Sequence, residues 1–475
     1  MTQNDKTRQW RGASLWMEGV EDGLIPRPAL EGEITADIAI IGAGYTGLWT
    51  AYYLKTRAPG LNIVVVEAET AGFGASGRNG GWVMGAILGE DRIVGHLPEP
   101  RRRESWDLLQ AIPDEVGRVT REEAIDCDFR KGGTLYCAAR YPEQETRLRN
   151  WLTTMHTQEG LNEEDIRWLS PAELTQELRI PGALGAVYTP HCATIQPAKL
   201  VRGLAAAVER LGVKIYEQSL VTQWRPGEIR TAQGVVKAGW VVPAVEGYAA
   251  SLPPLGDYQL PVQSLLIATE PLPEDVWAGI GLARGQSFSE FSRQVTYGQR
   301  TADNRLAFGA RGGYQFGGKL RTDFTPTEAE EGLRLYLMGE IFPQLKGVKI
   351  THRWGGNLGM SRRFQPHMLL DSKNRIAISG GYGGEGVGAS NLGGRTLADL
   401  ILGRENLETR QPWVIRDKTM AQALRRWEKE PLRWLGYNAI ITSFVHEDKV
   451  LANKHSATWR RLLAQALAER MEGLM

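Results

Sequence analysis

Residues 31–67, EGEITADIAIIGAGYTGLWTAYYLKTRAPGLNIVVVE, constrain the fold more than any other stretch of the chain. Residues 37–41 form a continuous apolar run, which suits a strand buried on both faces of a parallel sheet. The run enters Gly42-Ala43-Gly44-Tyr45-Thr46-Gly47, a GxGxxG, and helix-spaced apolar residues follow at Leu48, Ala51, Tyr52 and Leu54, stopping before Pro59. Residues 63–66 predict a second strand, and Glu67 ends it, 20 positions beyond Gly47. Each part has a physical task. Gly42 permits the tight turn, Gly44 lets backbone approach a pyrophosphate, and Gly47 lets helix and strand pack closely. The helix N-terminus, with Tyr45 and Thr46, offers unpaired N–H groups and a positive dipole end to phosphate. Glu67, followed by Ala68, accepts from ribose hydroxyls and disfavours a 2′-phosphate. A lone GxGxxG is a weak signal. Here strand, turn, helix, strand and acid fall at the spacing a dinucleotide site requires, with a purely structural βαβ unit as the alternative.

A second glycine-rich segment, TAGFGASGRNGG, occupies residues 70–81 immediately after the acid. Nicotinamide binding has no general need of one. With it the chain resembles the D-amino-acid oxidase-like (DAO) family of FAD-dependent oxidoreductases. In that family a GxSxxNGG-type loop crosses the flavin and pyrophosphate opposite the first motif. Gly74, Ala75, Ser76, Gly77, Arg78, Asn79, Gly80 and Gly81 match it. A surface loop is the competing reading of the segment alone.

Far down the chain, residues 375–379 (RIAIS) predict a strand, and GGYGGEGVGASNLGGRTLADLILG follows at 380–403. A helix is expected to start near 387–390 and to stop at Gly403. The resemblance extends here, because the family closes its FAD site with a G-x-G-V/I-x-x-S segment. It places Gly384, Gly386, Val387 and Gly388 against the flavin pyrimidine edge, where a helix N-terminus stabilises negative charge on the reduced ring. It also sets Val221 beside the adenine. The implied fold is mixed α/β. A Rossmann-type FAD-binding domain, discontinuous in sequence, gathers residues 31–90, 195–250 and 350–404. Residues 91–194 and 251–349 supply an antiparallel-sheet substrate domain. Residues 1–30 form an N-terminal extension and 405–475 a helical C-terminal appendage rich in Trp and Arg. Trp packing onto the body and a membrane-surface role compete for that appendage.

The substrate region carries the informative departure. Family members acting on free α-amino acids usually have W-x-G-x-R-P, whose arginine holds the carboxylate. In residues 352–361, HRWGGNLGMS, Leu358 stands at that arginine's place. This brings the chain towards the γ-glutamylputrescine oxidase-like subgroup, whose amines bear a remote acidic group. Arg311, Arg362 and Arg363 are candidate anion anchors, since a planar guanidinium suits a carboxylate or phosphonate. A solvated surface position fits each of them equally. Trp82, Tyr297 and Tyr314 are candidates for an aromatic wall near the flavin, with ordinary core packing as the equal competitor. No catalytic acid or base is assigned, because hydride transfer from a neutral amine requires none.

Composition closes off other classes. With 56 Lys+Arg against 55 Asp+Glu, the net charge of +1 leaves no basic footprint for nucleic acid. Cys127, Cys137 and Cys192 form no CxxC, and the histidines show no metal-ligand spacing, so no metal is expected. Covalent flavin attachment in some members uses a C-terminal cysteine. All three cysteines precede residue 193, so FAD is expected to be non-covalent. No apolar run approaches the roughly 20 residues that cross a bilayer. The polar start MTQNDKTRQW lacks a signal-peptide core, so a cytoplasmic location is expected. The expected activity is oxidation of a primary or secondary amine to an imine, with molecular oxygen reduced to hydrogen peroxide. A dehydrogenase serving a quinone or carrier, and a non-redox flavin protein, are the alternatives.

Overall fold

In the computed structural model, which describes residues 3–474, the apolar run at 37–41 is the end of a longer strand, Gly32–Ile41. Met1, Thr2 and Met475, at the tips of the two terminal segments, lie outside the described residues. The Gly32–Ile41 strand sits inside a nine-stranded sheet. Parallel to it run Ile63–Val66 on one side and Gly234–Pro243 on the other. Lys214–Tyr216 extends the sheet beyond Ile63–Val66, while Ile376–Gly380 and His367–Asp371 extend it beyond Gly234–Pro243. Residues 38–41 and 63–66 are fully apolar and buried, as strands covered on both faces must be. The helices Tyr45–Arg57, Pro197–Arg210 and Gly386–Ile401 cover the sheet and pack on one another. The carboxyl ends of Gly32–Ile41 and Gly234–Pro243 therefore meet at a crevice, the place where open α/β sheets bind ligands.

A second sheet has eight strands. Its order is Ile350–Ser361, Gln259–Thr269, Leu306–Tyr314, Tyr297–Arg300, Ser287–Glu290, Thr134–Ala138, Gly185–Thr189 and Arg167–Leu169. Two corrections to the sequence reading follow. Residues 350–361, read with the nucleotide unit, instead pair along nearly their whole length with Gln259–Thr269. The sheet is also not wholly antiparallel, because Ser287–Glu290 runs parallel to Thr134–Ala138. A short pair, Trp82–Met84 with Cys192–Thr194, stands apart from both sheets. The 405–475 segment is not only helical, since Val414–Arg416 forms an edge strand of the first sheet.

The chain ends in a helical hairpin, Leu432–Ala452 and Thr458–Glu472. Buried ion pairs fix it to the body. Arg140, 3% exposed, joins Glu290 to Asp448, while Arg293 and Arg147 hold Glu447. Removing one partner would leave a buried charge uncompensated, which makes such a network costly to open.

Candidate functional site

The first glycine motif builds its turn as the spacing requires. Gly42 has φ +103°, and a Cβ there would stand 2.7 Å from the carbonyl oxygen of Ala244. At Gly47 a Cβ would stand 2.1 Å from the oxygen of Gly42 and 3.0 Å from Ile40 Cγ2, so nothing larger than hydrogen fits between helix and strand. Gly44 is extended and caps the Tyr45–Arg57 helix without a side-chain hydrogen bond. The N–H of Tyr45 donates to Ser76 Oγ at 2.9 Å, which lays the second glycine loop directly over the first. Glu67 ends the second strand and accepts from the N–H groups of Ala43, at 2.7 Å, and Glu69, at 3.0 Å. Burial pushes its carboxyl up to about 7 against those backbone bonds. Ala68 follows, half-buried, and Val221 lies buried with Ala39, Ile41, Val64 and Val66 beneath the same end of the sheet.

The second loop is held by partners scattered over the whole chain. Ala75–Gly77 is a single 3-10 turn starting at Gly74. The amide of Asn79 donates to the carbonyls of Ala75 and Ser76 and accepts from the N–H of Gly81 at 2.8 Å. Gln299 donates to the Gly80 carbonyl at 2.7 Å. The Arg78 guanidinium lies between the Phe73 and Phe324 rings, and burial lowers its pKa. Trp354 Nε1 donates to the Arg78 carbonyl, Trp16 Nε1 to that of Asn79 and Ser14 Oγ to that of Gly77. The N-terminal extension, which carries no motif, thus clamps this loop. Trp10 and Trp16 in a polar N-terminus were the available signal.

The third segment turns through Gly383–Glu385 into the Gly386–Ile401 helix, which also lacks a side-chain cap. Gly384 is exposed, Gly386 half-buried, and Val387 and Gly388 are buried. Thr46 Oγ1 donates to the Tyr382 hydroxyl, tying this segment to the first helix. Glu246 accepts from the N–H groups of Gly381 and Tyr382 at 3.1 and 3.2 Å and so sets the entry to the turn. Two helix starts whose N-cap residues supply no side-chain cap, a glycine cradle and an acid at the end of the second strand together fit FAD.

Beside this turn stand groups that the sequence reading did not single out. Glu385 immediately precedes the helix, and burial alone pushes its carboxyl up to about 7. Glu90 rises to about 8 through burial, with Asp91, Glu385 and Glu159 adding to it. The Tyr136 hydroxyl is held well above its ordinary value by burial and then by the charges of Glu385, Cys192 and Glu90. Its ring packs on Trp151 and Phe291. Neither Glu385 nor Tyr136 makes a side-chain hydrogen bond among the described residues.

The substrate candidates divide. Trp82 and Tyr297 meet edge to face with centroids 6.2 Å apart, and Tyr297 packs under Gly80 and hydrogen-bonds Ser264. Arg311 lies opposite Ser264 on the neighbouring strand. Its guanidinium stands 5.5 Å from the Phe444 ring and bonds Tyr437, both on the C-terminal hairpin. Arg311 Nε has no partner, and no carboxylate lies within ion-pair distance of the group among the described residues. Burial lowers its pKa. Tyr314 donates to Glu430 at 2.6 Å and its ring meets Tyr437. Leu358 packs in the apolar cluster of Leu260, Val262, Tyr314, Met360 and Tyr437. Arg362 is engaged elsewhere, by Glu428 at 2.9 Å, the Leu474 carbonyl and the Trp427 ring. Arg363 is exposed, with φ +61°.

Comparison with known proteins bears on the family and the fold. The profile of the DAO family, described as FAD dependent oxidoreductase, matches residues 37–400. Gamma-glutamylputrescine oxidoreductase of Escherichia coli K12 is 32% identical over 391 residues, covering 80% of this chain and 86% of that protein. Sarcosine oxidase subunit beta of Rhodobacter capsulatus is 24% identical over 382 residues, 77% of this chain and 84% of that one. Among solved structures, glycine oxidase from Geobacillus kaustophilus superposes with a TM-score of 0.65 at 20% identity, covering 78% of this chain and 96% of that chain.

Proposed function

The chain belongs to the DAO family of FAD-dependent oxidoreductases, enzymes of C–N bonds, and on that premise we propose that it oxidises an amine whose anionic group lies several bonds from the reacting carbon. When bound, FAD supplies the two-electron oxidant for the C–N bond. We take the product to be an imine that water converts to an aldehyde or ketone, with oxygen reduced to hydrogen peroxide in the cytoplasm.

One observation carries this reading: Arg311 is an enclosed guanidinium that forms no ion pair, with only the more distant charge of Glu472 acting on it, on the sheet that faces the second glycine loop. Isolated buried charge is costly, and a ligand anion would relieve that cost. Leu358 supports it by leaving the usual α-carboxylate position apolar. Arg362, paired with Glu428, and the exposed Arg363 are set aside as anchors. At the other end, Glu385 and Glu90 lie within electrostatic reach of the Tyr136 hydroxyl and are raised chiefly by their own burial, so they suit an incoming ammonium. A carboxylate titrating near 7 can take the proton that must leave the nitrogen before the C–N bond is oxidised. Trp82 and Tyr297 then wall the reacting carbon, and the hairpin residues Tyr437 and Phe444 keep water from the arginine.

The test compares wild type with Arg311→Ala on a γ-glutamylated diamine and on benzylamine. Loss of the bidentate contact is expected to raise KM for the acidic amine by roughly tenfold or more, with kcat less affected. The same loss on benzylamine, or none on the acidic amine, rejects the anchor.

A further inference from the structure

The second helix of the C-terminal hairpin turns its small residues inward and its large apolar ones outward. The Thr458–Glu472 helix buries Ala464 and Ala468, whereas Trp459, Leu462, Leu463 and Leu467 stand 63%, 62%, 63% and 46% exposed. At 100° per residue these four fall within an arc of about 140°. Leu432 and Leu435 on the preceding helix, and Leu474 beyond the second, are exposed as well. The segment's other tryptophans do pack: Trp427 donates to the Met360 carbonyl and Trp434 lies against Phe316. An apolar surface of this extent marks an interaction site.

Charge identifies the partner. Residues 418–475 hold ten Lys and Arg against six Asp and Glu, a net +4 in a chain whose total is +1. Lys449, Lys454, Arg460 and Arg470 are exposed around the apolar arc. The acids turn the other way: Glu447 and Asp448 pair inward with Arg293 and Arg140, and Glu472 with Arg293. Glu469 is then the one acid of the hairpin facing solvent without such a pair among the described residues. A second copy meeting this face by two-fold symmetry would set positive charge against itself. An anionic bilayer complements it, with Trp459 at headgroup depth and the cations reaching the phosphates. No helix among the described residues is long and apolar enough to cross a membrane, so the contact is one that lies in the interface.

We propose that the outer face of the C-terminal hairpin docks on an anionic lipid bilayer. This holds whichever amine the active site takes. The experiment is flotation of the full-length FAD-loaded protein with phosphatidylcholine vesicles, with and without phosphatidylglycerol. Wild type is expected to float with the phosphatidylglycerol vesicles, less at high salt. Leu463→Glu and Leu467→Glu should each weaken partitioning about tenfold or more while turnover and FAD content stay unchanged. If either charge in the apolar arc costs the protein its FAD, the Lys454→Ala/Arg460→Ala variant must still show reduced binding to anionic vesicles. Wild type remaining at the bottom of the gradient with both vesicle types overturns the proposal. So does a dimer, seen by sedimentation, that Leu463→Glu dissociates while vesicle binding is absent throughout.

Discussion

Gly47→Ala tests the cofactor cradle at its tightest point. The added Cβ would stand 2.1 Å from the Gly42 carbonyl oxygen and 3.0 Å from Ile40 Cγ2. The first contact is more than 1 Å inside van der Waals distance, and the obstacle is backbone, so no rotamer change relieves it. Either the helix start withdraws from the strand or the Gly42 peptide swings. Both move the N–H groups of Ala43 and Tyr45, which now meet Glu67 and Ser76. Overpacking of this kind costs about 1–3 kcal/mol, and if it falls on the bound form it weakens FAD by roughly fivefold to 150-fold. Gly60→Ala is the control, since a Cβ there meets nothing within 4 Å, φ is not positive and the residue lies outside the glycine cradle. The assay is the ratio of flavin to protein absorbance after desalting, with thermal unfolding of the apoprotein alongside. Gly47→Ala should lose flavin and melt lower, while Gly60→Ala should match wild type. A Gly47→Ala protein with full flavin and an unchanged melting temperature would refute the reasoning.

Other outcomes follow from the same geometry. Glu67→Ala should lose FAD on dialysis, by about tenfold to a hundredfold in affinity, while turnover at saturating FAD changes little; equilibrium dialysis measures it. Acid precipitation should release intact FAD, because Cys127, Cys137 and Cys192 are all buried and burial pushes each thiol up, away from the reactive thiolate; flavin absorbance in the supernatant reports it. A Glu385 carboxylate that must be ionised to take the ammonium proton, and that titrates near 7, predicts kcat/KM rising with pH through that value. Glu385→Gln should flatten that limb of the profile.

The nucleotide half was legible because it is written locally. Gly42 through Glu67 form one βαβ unit whose chemistry is backbone, so spacing alone carries it. The substrate half depends on register between distant strands. Arg311 lies opposite Ser264 only because Leu306–Tyr314 pairs with Gln259–Thr269, and residues 350–361 belong to this sheet only through their own pairing with the other edge of that strand. Arg362 and Arg363 looked equivalent to Arg311 in sequence, yet a turn with φ +61° at Arg363 sends them outward. Tyr437 and Phe444 reach the site from a helix pair that the ion pairs of Arg140 and Arg293 hold in place, a long-range contact without a motif. Glu385 stood inside a segment read for its glycines, and its lack of partners became visible only in three dimensions.

The central claim, an amine recognised at both ends, is tested most directly by anaerobic titration of the FAD-loaded protein with matched amines. Each pair shares the reacting aminomethylene group and differs only in a remote carboxylate. Bleaching of the flavin band is expected at roughly tenfold lower concentration for the acidic member, with Arg311→Ala abolishing the difference. Equal bleaching by both members, or preference for the uncharged one, would contradict it.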